Sequence, residues 1–373
     1  MMATFWLSAL LVLYAYLGYP VWLWLRSRWR ARQVARSAFT PSVSVVMVVR
    51  DEETALPVKL RNLTALDYPH DRLEILVVSD GSTDGSDAIL RQWAEQGTIR
   101  PIFVAEHGGK ASGLNQAIPM AQGEVIVFTD VRQTIEPRAI RLLAENFADA
   151  SVGCASGELM LGDPQGEEST SGMGLYWRVE KKVRELESLS GSTIGATGAL
   201  YAARKNLLVE LPADLILDDV FLPMCVLRQG FRVVFDPRAR AWDKANLGTG
   251  REFWRKVRTL SGNYQLVEAA PWLVGRENPA RWDFVSHKLL RLLVPFALAG
   301  LLVSTALLGG AFYRTVLLAQ LAFYALSLLA ALPTRLGVFG RVADAALTFV
   351  VLNTAALVAF RNFALGRKTA WSR

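Results

Sequence analysis

Three short apolar runs, rich in β-branched residues, each lead into an acidic residue, and longer apolar stretches bracket the whole set. VSVVMVV (Val43–Val49) leads into Asp51 and Glu52, LEILVV (Leu73–Val78) into Asp80, and VIVF (Val125–Phe128) into Asp130. A continuous run of this kind marks a strand buried on both faces, which requires a sheet with helices on each side. Such sheets bind ligands outside the carboxyl ends of their strands, where Asp51, Asp80 and Asp130 all fall.

The chain has 373 residues, enough for one domain of ordinary size plus membrane spans. Charged residues are only 20% and mean hydropathy is +0.24, too apolar for a wholly soluble protein. The net charge of +7 would suit nucleic acid. The Arg residues cluster beside apolar spans, however, so positive-inside topology explains them and no nucleic-acid partner is expected. Cys154 and Cys225 lack metal or disulfide spacing and read as core thiols. His70, His107 and His287 are scattered, without metal spacing.

Phe5–Leu25 is apolar throughout and long enough to cross a bilayer. Arg26, Arg28, Arg30, Arg32 and Arg36 follow, with no acid until Asp51. This order predicts an N-terminal signal anchor whose basic flank faces the cytosol. Leu289–Gly309, Thr315–Leu332 and Val342–Phe360 are three further candidate spans. Arg335 and Arg341 suit a cytosolic connection, which leaves the basic tail after Phe360 outside, against the positive-inside rule. Asp344 and Asn353, polar at membrane depth, are expected to face other helices. The expected organisation is an anchor with basic flank (1–38), a cytosolic α/β domain (39–248), an amphipathic interfacial region (249–288) and a transmembrane region (289–373). The localisation expected is the inner membrane, with the α/β domain cytosolic.

Within the soluble segment, helical pattern falls near Ala55–Leu66, Ala88–Glu95 and Ser112–Met120, alternating with strands that include Ile102–Val104. The alternation predicts a doubly wound α/β sheet. Later come a helical stripe from Leu175 to Leu189, the Gly-rich stretch GSTIGATGALY, the pair Asp218–Asp219 and a strand at Arg232–Phe235. Phe253, Val257, Leu260, Tyr264 and Val267 form an apolar stripe, with Arg255 and Arg258 together on the opposite face. Trp254, Trp272 and Trp282 lie close in sequence, and this element is expected to rest on the membrane surface. The polar stretch from Gly162 to Gly172 reads as a loop.

Carboxylates at the ends of strands can accept hydrogen bonds from a base and a ribose, so Asp51, Glu52 and Asp80 are candidate nucleotide contacts. DGSTDGS taken alone is as well explained by a capped strand-to-helix turn. Lys110, between glycines in GGKASGLN, is a candidate phosphate contact, although such a lysine is usually solvated. Asp130 could face a divalent metal bridging a diphosphate, or merely cap a strand. Asp219 beside Asp218 could have its pKa raised and act as a general base, or both could favour a helix N-terminus.

Taken in order, these strings resemble the family 2 glycosyltransferases of GT-A fold. The resemblance is nearest to the membrane-embedded branch of cellulose, hyaluronan and poly-N-acetylglucosamine synthases. It covers roughly Pro41–Leu266 plus the flanking spans. It implies a GT-A type mixed sheet with about one N-terminal and about three C-terminal membrane helices. It also implies inverting transfer from a nucleotide sugar, UDP-linked in the first instance, onto a β-linked polysaccharide. The alternative acceptor is a membrane lipid such as a polyprenyl phosphate or a ceramide-like alcohol. RDEE gives Asp51 or Glu52 base recognition, DGSTD gives Asp80 the uridine, and GKASGLN puts Lys110 at the phosphates. The family's metal-binding D-x-D falls on Asp130-Val131-Arg132, its catalytic base on Asp219, and its Q/R-x-x-R-W string on Arg255 to Thr259. Gly195, Thr197, Gly198, Asp218 and Trp254 are expected on the acceptor side.

Two departures change the expectation. Arg132 replaces a metal-binding carboxylate, so dependence on Mg or Mn should be weakened, and its guanidinium could meet the diphosphate directly. Thr259 replaces the Trp expected to stack on an acceptor sugar, which favours a single transfer, with Trp254 one turn earlier as a stand-in. A degenerate pocket serving as a non-catalytic nucleotide sensor, and a transporter, are rival readings. Retention of both Asp130 and Asp219 weighs against the sensor, and the few ionisable groups within the spans weigh against the transporter.

Overall fold

β1 (Val43–Val49) is buried at every position, as its unbroken apolar run requires. It lies between β2 (Leu73–Asp80) and β4 (Val125–Phe128), parallel to both. β3 (Arg100–Val104) adds in parallel outside β2. The structure, a computed structural model, describes residues 1–162, 172–243, 249–330 and 340–366. The expected polar loop near 162–172 and Arg335 fall almost wholly outside those residues.

The two faces of β1 divide the core. Val45, Met47 and Val49 join a cluster with Leu60 and Leu63 of α3 (Leu56–Thr64). Val46 and Val48 join a second cluster with Leu114 and Ala117 of α5 (Gly109–Met120). Alternation with a period of two is what sends successive side chains to opposite helical layers. Between β2 and β3 the chain forms α4 (Ser86–Glu95). Gly123, just before β4, lies so close to β1 that a Cβ would collide with the Ser44 amide. Its own amide donates to Ser44 Oγ at 2.8 Å.

Beyond β4 the sheet changes direction. β7 (Tyr201–Arg204) pairs antiparallel with β4 and with β6 (Val152–Leu161). β8 (Arg232–Asp243) runs parallel to β6, and the short β5 (Thr134–Ile135) closes the edge. The full order is β3-β2-β1-β4-β7-β6-β8-β5, a mixed sheet. β8 is far longer than the expected Arg232–Phe235, because it resumes pairing after a register shift opposite Ser156–Glu158. α6 (Ala139–Glu145) packs on the same side as α3.

Among the described residues, four helices can by length and composition cross a membrane: Met2–Trp29, Arg281–Leu307, Ala311–Ala330 and Val342–Ala364. The first combines α1 (Met2–Leu13), a π turn and α2 (Tyr19–Trp29). The second combines α10 (Arg281–Phe284), a π turn and α11 (Leu290–Leu307). α12 (Ala311–Ala330) and α13 (Gly340–Ala364) follow. Asn353 does face another helix, with Nδ2 donating to Tyr16 OH at 3.3 Å. Asp344 does not: it is exposed near the start of α13, where the helix dipole favours a carboxylate.

Three more helices join these layers: α7 (Gly172–Leu189), α8 (Asp218–Arg228) and α9 (Thr249–Ala269). α9 carries the amphipathic stripe expected to rest on lipid, but the stripe is covered by protein. Val257 packs with Ala355 and Ala359 of α13, flanked by Phe253, Leu260 and Tyr264. Tyr264 stacks on Phe363 at 5.0 Å. Small residues on α13 allow this close approach. A Gly123→Ala substitution should push β4 away from β1. Overpacking of that kind costs about 1–3 kcal/mol, and thermal unfolding of the full chain in detergent should show a Tm lower by several degrees.

Candidate active site

The loops after β1 and β2 are laced to each other. Asp51 adopts a left-handed backbone (φ 51°), uncommon outside glycine. Its Oδ1 accepts from the Thr83 amide at 2.7 Å and from Thr83 Oγ1 at 3.2 Å. The Thr83 amide is the main reason its carboxyl lies below the usual range. The Glu52 amide donates to Ser86 Oγ at 2.9 Å, and the Glu53 amide to Asp84 Oδ2 at 3.0 Å. Asp51 and Glu52 therefore sit on a rim braced by DGSTDGS.

Asp80 is wholly buried (0% exposed). Its Oδ1 accepts from the Gly108 amide and its Oδ2 from the Gly109 amide, both at 2.8 Å, and His107 Nδ1 lies 2.7 Å from Oδ2. These contacts fix the start of α5. Lys110, expected in a loop, stands in the first turn of that helix. Asp80 thus acts on the cleft through the placement of Lys110.

Lys110 Nζ lies 3.0 Å from Asp130 Oδ1 and 3.2 Å from Asp218 Oδ1. Its pKa is raised by Asp130, Asp218 and Asp219, which together outweigh the effect of its burial. Asp219 Oδ2 accepts from the Gly198 amide at 3.0 Å. A Cβ on Gly198 would stand 3.3 Å from Asp219 Oδ2 and 3.7 Å from Asp130 Oδ2, so both carboxylates border one short backbone segment. Burial, then the neighbouring Asp218, raises the Asp219 carboxyl to about 6. Asp130 keeps 41% of its side chain exposed, and it is the carboxylate open to a ligand.

Gly195, Thr197 and Gly198 form the wall beside Asp219. The Ala196 amide donates to the Asp219 carbonyl at 2.7 Å, and the Thr197 amide to Ser156 Oγ at 3.0 Å. Gly195 packs against Val220. Asp218, expected on the acceptor side, is instead buried between Lys110 and Tyr201, whose hydroxyl lies 3.3 Å from Asp218 Oδ2. Trp254 is 61% exposed and its ring lies edge-on to Phe253.

Arg132 Nη2 donates to Asp243 Oδ2 at 3.0 Å, and Arg255 Nη1 reaches the same oxygen at 3.4 Å. Arg258 is half-buried, which lowers its pKa, while Asp130 and Asp219 act to raise it. It makes no hydrogen bond with any described residue. It is a guanidinium held near two carboxylates with its donors available to an anion. Among the described residues no three His, Cys, Asp or Glu side chains gather for a metal. One open carboxylate, Asp130, fits an ion that a diphosphate helps to hold, and does not make an all-protein cage.

Several contributing residues escaped the sequence. Lys59 Nζ is buried behind the site, donating to Thr129 Oγ1 at 2.9 Å and to the Gln133 carbonyl at 2.7 Å. Burial pulls its pKa down to about 7. A lysine on the apolar face of a predicted helix was the available signal. Asp243 was hidden by the shortened β8, and Tyr201 by the absence of any motif; His107, expected near Lys110 at the surface or beside phosphate, instead meets Asp80.

A family model described as glycosyl transferase family 2 matches residues 44–212. The poly-beta-1,6-N-acetyl-D-glucosamine synthase of Staphylococcus aureus (strain COL) is 22% identical over 234 residues, 60% of this chain and 55% of that protein. The protein of the same name from Staphylococcus epidermidis is 21% identical over 239 residues, 62% of this chain and 56% of the other. The chain thus spans about half the length of the curated relatives it matches. A solved mannosyltransferase from Pyrobaculum calidifontis, in complex with GDP-Man and Mn2+, superposes with a TM-score of 0.73. It is 23% identical, over 97% of this chain and 99% of that one, a likeness of fold. Within the site itself, Lys110 lowers the pKa of Asp219. Lys110→Met should therefore raise that pKa further, which carboxyl-carbon NMR titration of the purified chain would detect.

Proposed function

We propose that this chain, whose residues 44–212 match the family model described as glycosyl transferase family 2, moves a sugar with inversion from a nucleotide diphosphate, UDP in the first instance, to an acceptor hydroxyl at the membrane. The observation that carries this is the meeting of Asp130, Lys110 and Asp219 around Gly198. Asp51 and Glu52 would face the base and ribose. Asp80 would serve the nucleotide end by holding Gly108 and Gly109.

Asp219 would take the proton of the acceptor hydroxyl as its oxygen attacks the anomeric carbon from the face opposite the diphosphate. A carboxyl near 6 is mostly ionised at neutral pH and still basic enough to draw a proton in the transition state. Negative charge builds on the departing diphosphate, where Lys110 and Arg258 stand ready to offset it. A divalent ion on Asp130 would add Lewis-acid neutralisation of the same oxygens. Arg132 and Arg255, steered by Asp243, would put positive charge where a second metal-binding carboxylate is missing.

Both acceptor readings have support. The poly-N-acetylglucosamine synthase relatives favour extension of a β-linked polysaccharide. Thr259, exposed where the resemblance expects Trp, favours a single transfer to a membrane lipid. The basic flank after the first span favours an inner-membrane protein with its catalytic domain in the cytosol.

Asp219→Asn should lower kcat by about 10²–10⁴-fold with nucleotide affinity kept. Single-turnover assays over a panel of UDP-, GDP- and TDP-sugars would check this, and undiminished turnover would remove the assignment. For the wild-type chain, kcat should fall as pH drops through about 6 and level off above it, because the working base is the ionised form. A chelator should reduce turnover without abolishing it. Complete loss, restored only by Mg or Mn, would return the main charge-offsetting role to metal.

A further inference from the structure

α3 joins two parts of the cleft that are far apart in sequence. It starts just past the rim formed by Asp51 and Glu52, where the Glu52 carbonyl accepts from the amides of Ala55 and Leu56 at 3.1 and 2.9 Å. Further along, it meets the turn that carries Asp130 and Arg132. Lys59 and Asn62, three residues apart on one side of the helix, make that contact.

Lys59 is only 2% exposed, an uncommon place for an ammonium group. Its Nζ donates to Thr129 Oγ1 at 2.9 Å and to the Gln133 carbonyl at 2.7 Å. One side chain thus grips the turn before Asp130 and again after Arg132. A hydroxyl has a single proton to give. Thr129 Oγ1 accepts from Lys59 and has the Ala199 carbonyl at 2.9 Å, nearer than the Asp130 carbonyl at 3.3 Å. Ala199 follows Gly198, whose amide donates to Asp219. Through one hydroxyl, Lys59 therefore also ties the turn to the wall beside Asp219.

Asn62 extends the grip into β5. Its Nδ2 donates to the Ile135 carbonyl at 2.8 Å, and its Oδ1 accepts from the Ile135 amide at 2.9 Å. From the other side, Asp243 holds the Gln133 side chain at 3.1 Å. Packing does not ask for a lysine at 59, since its neighbours Leu56, Leu60 and Leu63 are core residues. An ammonium whose partners among the described residues are two neutral oxygens costs more to bury than an apolar chain. What the lysine supplies is a fixed turn, and positive charge behind the carboxylate that is open to a ligand.

We propose that Lys59 is a positioning residue for the outer phosphate of the donor, holding the Asp130–Arg132 turn at a set distance from the rim that meets the nucleoside. The inference rests on the transferase reading and deepens it. Lys59 touches no ligand. It acts through the backbone that aims Asp130 and Arg132, while the nucleoside end depends on Asp51, Glu52 and Asp80. Loss of Lys59 should therefore separate the two ends of the donor site.

The test is calorimetric titration of the full chain in detergent with UDP, UMP, GDP and GMP, in the presence of Mn. The wild-type chain should bind one diphosphate at least about tenfold more tightly than its monophosphate. Lys59→Met, close in length and without the donors, should weaken diphosphate binding by at least about tenfold and leave the monophosphate within about twofold. Thr129→Val, which keeps the shape and removes only the hydroxyl, should reduce the same preference in part. Equal weakening of diphosphate and monophosphate makes Lys59 a general prop of the fold and overturns the inference. A preference unchanged in Lys59→Met, or absent from the wild type, overturns it as well. Should Lys59→Met show no cooperative unfolding transition, Thr129→Val decides alone, and an unchanged preference there is fatal. A wild-type chain that binds neither UDP nor GDP strikes the transferase reading itself, a result distinct from any of these.

Discussion

Lys110 must carry its charge for the cleft to hold its shape, because Asp130, Asp218 and Asp219 converge around it. Three carboxylates at this spacing repel one another, and burial makes the repulsion costly. The ammonium group offsets most of it and is itself kept protonated by the same three groups. The arrangement is reciprocal. Asp80 fixes the first turn of α5 that presents Lys110, and Lys110 fixes the orientation of Asp130. Asp219 answers its burial first, and the neighbouring Asp218 second, with a raised pKa. A base near 6 is thus a consequence chiefly of its burial, with Asp218 adding to the rise and Lys110 limiting it.

The replacement of a carboxylate by Arg132 is accommodated through a different strand. Asp243, at the end of β8, takes Arg132, Gln133 and Arg255 on one oxygen. Those two guanidiniums are therefore positioned by a buried acid and do not compete with Asp130 for it. Arg258, one helical turn beyond Arg255, is left in electrostatic reach of Asp130 and Asp219. The donor side of the cleft is in this way supplied with positive charge by protein groups in fixed places. A metal ion bound there would share a task already partly met.

The parallel half of the sheet was legible because its strands are continuous β-branched runs, a signal that survives without context. β4 falls on the expected residues, and β2 only extends far enough to include Asp80. The antiparallel half was not legible. β6 reads VGCASGELML and β7 reads YAAR, with small residues where neighbouring backbones approach. Buried strands of Gly, Ala, Cys and Ser carry no periodic signal. Among site residues, Asp130 and Asp219 could be picked by motif order. The burial of Asp218 beneath Lys110 could not, since adjacent acids look alike until a helix start turns one inward. The stripe on α9 was visible, but the sequence could not say that Ala355 and Ala359, about a hundred residues later, would cover it.

The clamp around His287 connects the membrane to the chemistry. Glu180 and Glu187, both held below the usual carboxylate range by His287 against the effect of burial, stand on either side of that ring, each with Oε1 2.8 Å from one of its nitrogens. A ring shared by two buried carboxylates is costly to break, because removal of one partner leaves a buried polar group uncompensated. Tyr19 and Arg26 attach the first span to this clamp, and Arg291 attaches the second. α7, which carries the clamp, also packs on α13 and on β8 of the sheet. The spans are thereby bonded to the domain that contains Asp219. An acceptor anchored in the lipid would meet the base at a height set by these buried ion pairs, and its reach from the bilayer would decide which hydroxyl is glycosylated.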